Sequence, residues 1–245
     1  MELNFLGRGS AFNPKEGNTS AYFIEDNTLF LIDCGESVFN KLIENNIIDS
    51  IDSINLMITH THSDHVGCLG TLTLYSYFEL NKPINIVIKN DEKQINDIKN
   101  VIKGFGIRDG MYNFVDEIVL DKKYSSFFNI RYIKTNHYDG LNCYSIVFNT
   151  DNGLIFYSGD TNEITHINAI INGEINIDKI YVDVSSSNFK GNPHIFIGDL
   201  DKQIPSNLKS KIYCMHFNDD KCINEAENRG FNVVKVISNK KLLSQ

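Results

Sequence analysis

The stretch Thr59-His60-Thr61-His62-Ser63-Asp64-His65 constrains this chain more than any other. Four metal-capable side chains fall within six residues, directly after the apolar run Ile54–Ile58, which reads as a buried strand. In extended backbone, residues i and i+2 point the same way, so His60 and His62 can converge on one ion. Asp64 and His65 follow at a turn into a helical pattern and can face a second ion. Imidazole and carboxylate suit Zn²⁺ and similar divalent cations. Two such ions about 3.5–4 Å apart would clamp both oxygens of a bond being displaced. Three of the chain's seven histidines lie in this one stretch, which makes a polar loop with chance histidines a poor account of it.

A cluster of this kind needs a rigid scaffold. At 245 residues the chain can bury a substantial core. Apolar residues make up 42% and charged residues 22%, the balance of a folded chain rather than a disordered one. No Pro/Ser-rich linker or charge block divides it, so residues 1–245 read as a single domain. No apolar run approaches the roughly 20 residues that cross a bilayer. Met1-Glu2-Leu3-Asn4 opens neither a basic nor an apolar leader, so no membrane association and no signal peptide are expected. The net charge is −8 and no Lys/Arg block exists, which disfavours a long nucleic acid as partner. Cys34, Cys68, Cys143, Cys214 and Cys222 form no Cys-x-x-Cys pair and read as reduced, buried thiols of a cytoplasmic protein.

Pattern places β-like runs at Leu3–Leu6, Ala21–Glu25, Thr28–Ile32, Ile54–Ile58 and Ile84–Ile88. Helical spacing appears over Ser37–Asn46, Asp64–Leu80 and Asp91–Lys103. The second half opens with strands near Tyr112–Leu120, Phe127–Thr135, Cys143–Asn149 and Leu154–Tyr157, the last two joined at Asp151-Asn152-Gly153. Helix and strand then alternate over Thr161–Ile171, Lys179–Val184, Ile195–Gln203, Lys211–Met215, Asp219–Arg229 and Val233–Ile237. Strands in blocks with helices outside predict two sheets between helix layers.

His-x-His-x-Asp-His after a strand resembles the signature of the metallo-β-lactamase fold superfamily. The family's later positions are matched in order by Asn136-His137, Ser158-Gly159-Asp160-Thr161 and Cys214-Met215-His216, each after a predicted strand. The resemblance covers essentially the whole chain. It implies an α/β fold, an αββα four-layer sandwich of two mixed sheets flanked by helices. It further implies two divalent metal ions, Zn²⁺ with Mn²⁺ as the alternative. His60, His62 and His137 would hold one ion, Asp64, His65 and His216 the other, and Asp160 would bridge them. Leu31-Ile32-Asp33-Cys34-Gly35 resembles the family's strand-ending Asp-x-Gly. Asp33 there either orients ligand histidines or caps a helix. Leu6-Gly7-Arg8-Gly9-Ser10 has no helical pattern after it and reads as a turn rather than a nucleotide cradle.

Within the superfamily, the opening Leu3–Phe12 with Gly17-Asn18-Thr19-Ser20, and Asn192-Pro193-His194, resemble ribonuclease Z-like phosphodiesterases. That resemblance implies that His194 acts on the scissile phosphate, donating a proton to the leaving oxygen, with Asp64 holding metal and hydrogen-bonding the nucleophile. Only a hairpin fits between His137 and Asp160, which leaves no room for a tRNA-gripping arm. A small phosphodiester is therefore the expected substrate, as in relatives that open cyclic phosphates, including cyclic-nucleotide phosphodiesterases of the phage anti-defence kind. The alternatives are a ribonuclease Z-like RNA endonuclease, a thioester or lactone hydrolase, and a metal-binding module with a degenerate site. The resemblance also implies a homodimer. Tyr138, Tyr144, Phe189 and Phe196 could flank a base, and His166 has no assigned role.

Overall fold

The computed structural model describes residues 1–173 and 175–238; residues 174 and 239–245 of the expected domain lie outside the described residues. The chain divides into two compact units, one formed by Glu2–Val115 with 235–238, the other by Asp116–Val234.

The first unit is a six-stranded sheet in sequential order: β1 (Asn4–Gly7), β2 (Ser20–Glu25), β3 (Thr28–Ile32), β4 (Ser53–Met57), β5 (Ile84–Ile88) and β6 (Tyr112–Asp116). β1, β2 and β3 pair antiparallel, and β3, β4 and β5 parallel. Its helices are α1 (Val38–Glu44), α2 (Ser63–Val66), α3 (Leu69–Phe78) and α4 (Glu92–Gly104). Period-two alternation on β3 sends Leu29 and Leu31 into one apolar cluster with Leu56, Ile86, Leu72 and Ile98. Phe30 and Ile32, on the opposite face, are just as buried. Full burial of one such side chain stabilises by about 1.5–3 kcal/mol. α4 contributes Ile98 and Ile102, one helical turn apart, and Asp91 caps it by accepting the Gln94 N–H at 3.1 Å.

The second unit holds β7 (Asn129–Thr135), β8 (Cys143–Thr150), β9 (Gly153–Tyr157), β10 (Ile177–Asp183), β11 (Ile212–Met215) and β12 (Asn232–Val233), which lie in the order β12-β11-β10-β9-β8-β7. β7, β8 and β9 pair antiparallel; β9 to β12 run parallel. α5 (Glu117–Tyr124), α6 (Thr165–Asn172), α7 (Ile197–Gln203) and α8 (Asp220–Asn228) complete it. Ile180, Val182 and Val184 alternate onto a cluster shared with Ile167, Leu200 and Ala226.

Two mixed sheets flanked by helices are therefore present, as the sequence predicts. Two element expectations are corrected. The strand expected over Tyr112–Leu120 stops at Asp116, and α5 begins at Glu117. Asp116 accepts the Ile118 N–H at 2.8 Å, Glu117 sits in the first turn and Lys122 and Lys123 in the last, so capping and charge outweigh the β-branched pair Ile118-Val119. That strand also closes the first sheet rather than opening the second. The single helix expected over Asp64–Leu80 is two, interrupted at Gly67-Cys68. There the Cys68 N–H leaves the helical ladder and donates to Cys34 O at 2.9 Å. All five cysteines are buried thiols. No helix among the described residues is long and apolar enough to cross a membrane.

Candidate active site

In the first unit, β3 and β4 run parallel with Ile32 opposite Met57. Their carboxyl ends therefore release Asp33 and the histidine segment at the same edge, where open α/β sheets carry their ligands. Asp33 is fully buried, with φ +60°. Its Oδ1 accepts the Thr59 N–H at 2.8 Å, and its Oδ2 accepts the Thr59 hydroxyl and His65 Nδ1–H, each at 2.8 Å. Burial pushes the Asp33 pKa up, against the opposing pull of His65 and Thr59. The carboxylate settles the proton of His65 on Nδ1, so Nε2 presents a lone pair, 3.5 Å from Asp64 Oδ2. Of the two roles open to Asp33, orientation is the one it performs; the residue flanking α1 is Ser37.

His60 Nε2 and His62 Nδ1 lie 2.9 Å apart, and the His60 and His65 rings 4.0 Å between centroids. Extended backbone at His62 turns both rings the same way before α2 begins. Gly35 locks this segment to β3. A Cβ there would stand 2.0 Å from Asp64 O, and the Cys34 N–H donates to His65 O at 2.7 Å. Only glycine permits that approach.

In the second unit, the carboxyl ends of β7, β9, β10 and β11 share one edge and release His137, Asp160, Asp183 and His216. His216 Nε2 is 3.3 Å and His137 Nε2 3.6 Å from Asp160 Oδ2. His137 Nδ1–H donates to Pro193 O at 2.9 Å, which again leaves Nε2 as the lone-pair nitrogen. The ligand atoms of Asp160, Asp183, His194 and His216 all lie within 4.8 Å of one another. His216 sits at φ +63°, a strained conformation of the kind that gathers at functional sites.

Asp183 is the residue that sequence reasoning missed. It is fully buried at the end of β10. Its Oδ2 accepts His194 Nδ1–H at 2.7 Å and the Thr161 N–H at 3.1 Å, and its Oδ1 is 3.3 Å from His216 Nδ1. Burial raises the Asp183 pKa, but His194 and His216 outweigh it and hold the carboxyl below its ordinary range. Burial alone would lower the His194 pKa; the charge and hydrogen bond of Asp183 raise it overall. The available signal was position, since Asp33, Asp160 and Asp183 all follow apolar strands at a carboxyl end. His166 lies on the exposed side of α6 and contacts Lys134 O at 3.0 Å. Gly7 and Gly9 pack against the backbone of residues 13–18, as a turn. Between His137 and Asp160 the chain forms only a tight turn and the β8–β9 hairpin.

Among solved structures, the metallo-beta-lactamase fold protein YhfI from Bacillus subtilis is similar, with a TM-score of 0.68, 16% identity and coverage of 97% of this chain and 96% of that one. A new diphosphatase from the PhnP family follows at TM-score 0.67 and 17% identity, covering 96% and 94%. These likenesses show the fold that the motif order implies. In sequence, the chain is 29% identical over 245 aligned residues to the Anti-Pycsar protein Apyc1 of Bacillus phage 010DV004, covering 90% of each chain. The model of that family, Anti-Pycsar protein Apyc1, matches residues 1–238, and the chain belongs to this family.

Proposed function

We propose that this chain is a metal-dependent phosphodiesterase that hydrolyses a cyclic nucleotide. The observation that carries this reading is the family match over residues 1–238, on a chain that keeps every metal-capable position of the motif. In this reading His60, His62 and His137 would hold one divalent ion, Asp64, His65 and His216 would hold a second, and Asp160 would serve both. The donor chemistry fits. His65 and His137 each spend their Nδ1 proton on an oxygen acceptor and offer Nε2 as a lone pair, the arrangement that metal-binding histidines adopt. Buried Asp64 and Asp160 supply negative charge that dications would offset. A set rich in imidazole with carboxylates favours Zn²⁺, with Mn²⁺ as the alternative. When bound, such ions supply Lewis acidity toward a phosphoryl oxygen and a nucleophile at neutral pH.

The chain's own groups do the rest. Asp183 fixes the His194 ring through Nδ1 and leaves Nε2 to carry a proton to the departing oxygen. The charge and hydrogen bond of Asp183 favour the protonated form of the His194 ring. Asp64 orients the attacking oxygen by hydrogen bonding. The reading includes one catalytic domain over 1–245, a reducing cytoplasm in which the five buried thiols persist, and a homodimer whose second subunit helps to exclude water from the open site. Light scattering tests the dimer; a monomer at micromolar concentration overturns it.

The decisive experiment is a hydrolysis panel of 3′,5′-cyclic mononucleotides, a tRNA precursor and a thioester. Conversion of a cyclic nucleotide to the linear monophosphate is expected. Turnover of the thioester or the precursor with none of the cyclic nucleotides overturns the reading.

A further inference from the structure

β7 and β9 run parallel but are not neighbours. β8 lies between them in the sheet, so adjacent-strand spacing sets their axes about 9–10 Å apart. No ladder hydrogen bond crosses that distance. Yet His137 and Asp160, which follow these two strands, approach to 3.6 Å between Nε2 and Oδ2. The residue beside Asp160, Thr161, ties the two strand ends together.

A threonine hydroxyl has one proton and two lone pairs. Thr161 is fully buried and uses all three. Its hydroxyl donates to Asn136 O at 3.1 Å, accepts the Glu163 N–H at 3.0 Å, and lies 2.5 Å from the hydroxyl of Thr135, itself buried. With the Thr161 proton committed to Asn136 O, Thr135 is the donor in that third bond. The Asn162 N–H also donates to Asn136 O, at 2.9 Å, and Asn136 Nδ2 donates to Asn162 Oδ1 at 3.1 Å. The end of β7 and the residues after Asp160 are thus clasped side by side. The Thr161 N–H donates to Asp183 Oδ2 at 3.1 Å, the oxygen that also accepts His194 Nδ1–H. On the other side of Asp160, the Ser158 hydroxyl donates to Gly159 O at 2.6 Å and accepts the Asp183 N–H at 2.9 Å. Thr161 therefore bonds both the strand end that carries His137 and the carboxylate that orients His194.

We propose that Thr161 is a positioning residue whose hydroxyl sets the separation of Asp160 from His137. The proposal rests on the metal-dependent reading above, in which both residues serve as ligands. Thr161 is not itself a ligand and acts through its neighbours. Moving either strand end breaks a bond of a buried hydroxyl that has no water to replace it, so the clasp resists displacement. Zinc–ligand bonds lie within about 0.2 Å of their usual lengths. Looseness between His137 and Asp160 is therefore read directly as lost metal affinity.

The test is zinc affinity of the full chain, measured by chelator competition without substrate. Thr161→Val keeps the shape of the side chain and removes the hydroxyl; it should weaken zinc binding about 10- to 100-fold. Thr161→Ser keeps the hydroxyl and should restore it. Thr135→Val removes one donor and leaves the bonds of Thr161 to Asn136 and Glu163 in place. It should weaken zinc binding in the same direction by less, and it carries the test if Thr161→Val does not fold. Thermal unfolding of the metal-free variants separates position from stability. Zinc affinity equal to the wild type in the folded valine variants, whatever their unfolding midpoint, makes the clasp merely structural and overturns the proposal. A Thr161→Ser variant as weak as Thr161→Val also overturns it. Wild-type protein that binds zinc but hydrolyses no cyclic nucleotide overturns the substrate reading, while the zinc measurement still decides the clasp. Wild-type protein that binds no zinc overturns both.

Discussion

Asparagine at position 33 separates orientation of a ligand from stability of the fold. The Asp33 carboxylate accepts three hydrogen bonds in a site closed to water, from Thr59 N–H, the Thr59 hydroxyl and His65 Nδ1–H. An amide of the same shape replaces one of its oxygens with NH₂. With nitrogen in the Oδ1 place, the amide faces the backbone N–H of Thr59, and a buried donor left without an acceptor costs about 1–3 kcal/mol. With nitrogen in the Oδ2 place, the amide donates to the Thr59 hydroxyl and to His65 Nδ1. His65 then carries its proton on Nε2, which costs the metal-free fold little. The second arrangement wins, and it converts the proposed ligand nitrogen into a donor. Asp33→Asn should therefore shift urea unfolding of the metal-free protein by less than about 1 kcal/mol. Its zinc affinity in chelator competition should fall about 10- to 100-fold. Histidine ¹⁵N spectra should show the proton of His65 moved from Nδ1 to Nε2. Unchanged zinc affinity, with the proton still on Nδ1, would refute the reasoning.

Three further outcomes follow from the same geometry. His62 is half-buried at the start of α2 and makes no side-chain capping bond, so His62→Ala should abolish turnover and lower metal content by elemental analysis with thermal unfolding nearly unchanged; full metal occupancy would contradict its role as a ligand. His194→Ala should cut turnover of a poor leaving group by about 10²–10⁴-fold and that of a nitrophenyl ester by less, with metal content retained; equal losses on the two would refute its role as proton donor. Asp201 accepts from Lys209 at 2.5 Å and Arg229 at 2.9 Å, chiefly the Lys209 bond holding its pKa low, so its contribution is present above the unfolded carboxylate pKa and is lost as pH falls through the lower folded value. Asp201→Ala should cost about 0.5–1 kcal/mol at pH 7, and the gap should close below about pH 4; an equal gap at pH 3 and pH 7 would exclude the ion pairs as its source.

What could be read in the chain depended on whether a residue's neighbours in sequence are also its neighbours in space. The His60–His65 segment is local. Strand, turn and helix each follow from adjacent residues, so convergence of His60 and His62 needs nothing beyond the period of extended backbone. α4 was legible for the same reason, with its cap and its apolar face in one window. Ile118 and Val119 carry the β-branched signal of a strand, whereas in the fold they are 52% and 60% exposed on a helix set by Asp116 and Glu117. Propensity yields when the face it would bury has nothing to pack against.

Asp183 shows the limit from the other side. Within ten residues only its place at the end of an apolar strand marks it, and its partners Thr161, His194 and His216 arrive on other elements. What places it is register: β10 runs parallel to both β9 and β11, with Tyr181 opposite Tyr157 and Asp183 opposite Met215. A parallel sheet turns equal strand lengths into a common edge, so carboxylates that look unrelated along the chain finish side by side. The fold thereby sets the chemistry of His194 through a residue that lies at the end of a different element. A substitution in β10 that slipped its register by one residue would turn Asp183 to the opposite face of the sheet and release His194, while every residue of the histidine motif stayed unchanged.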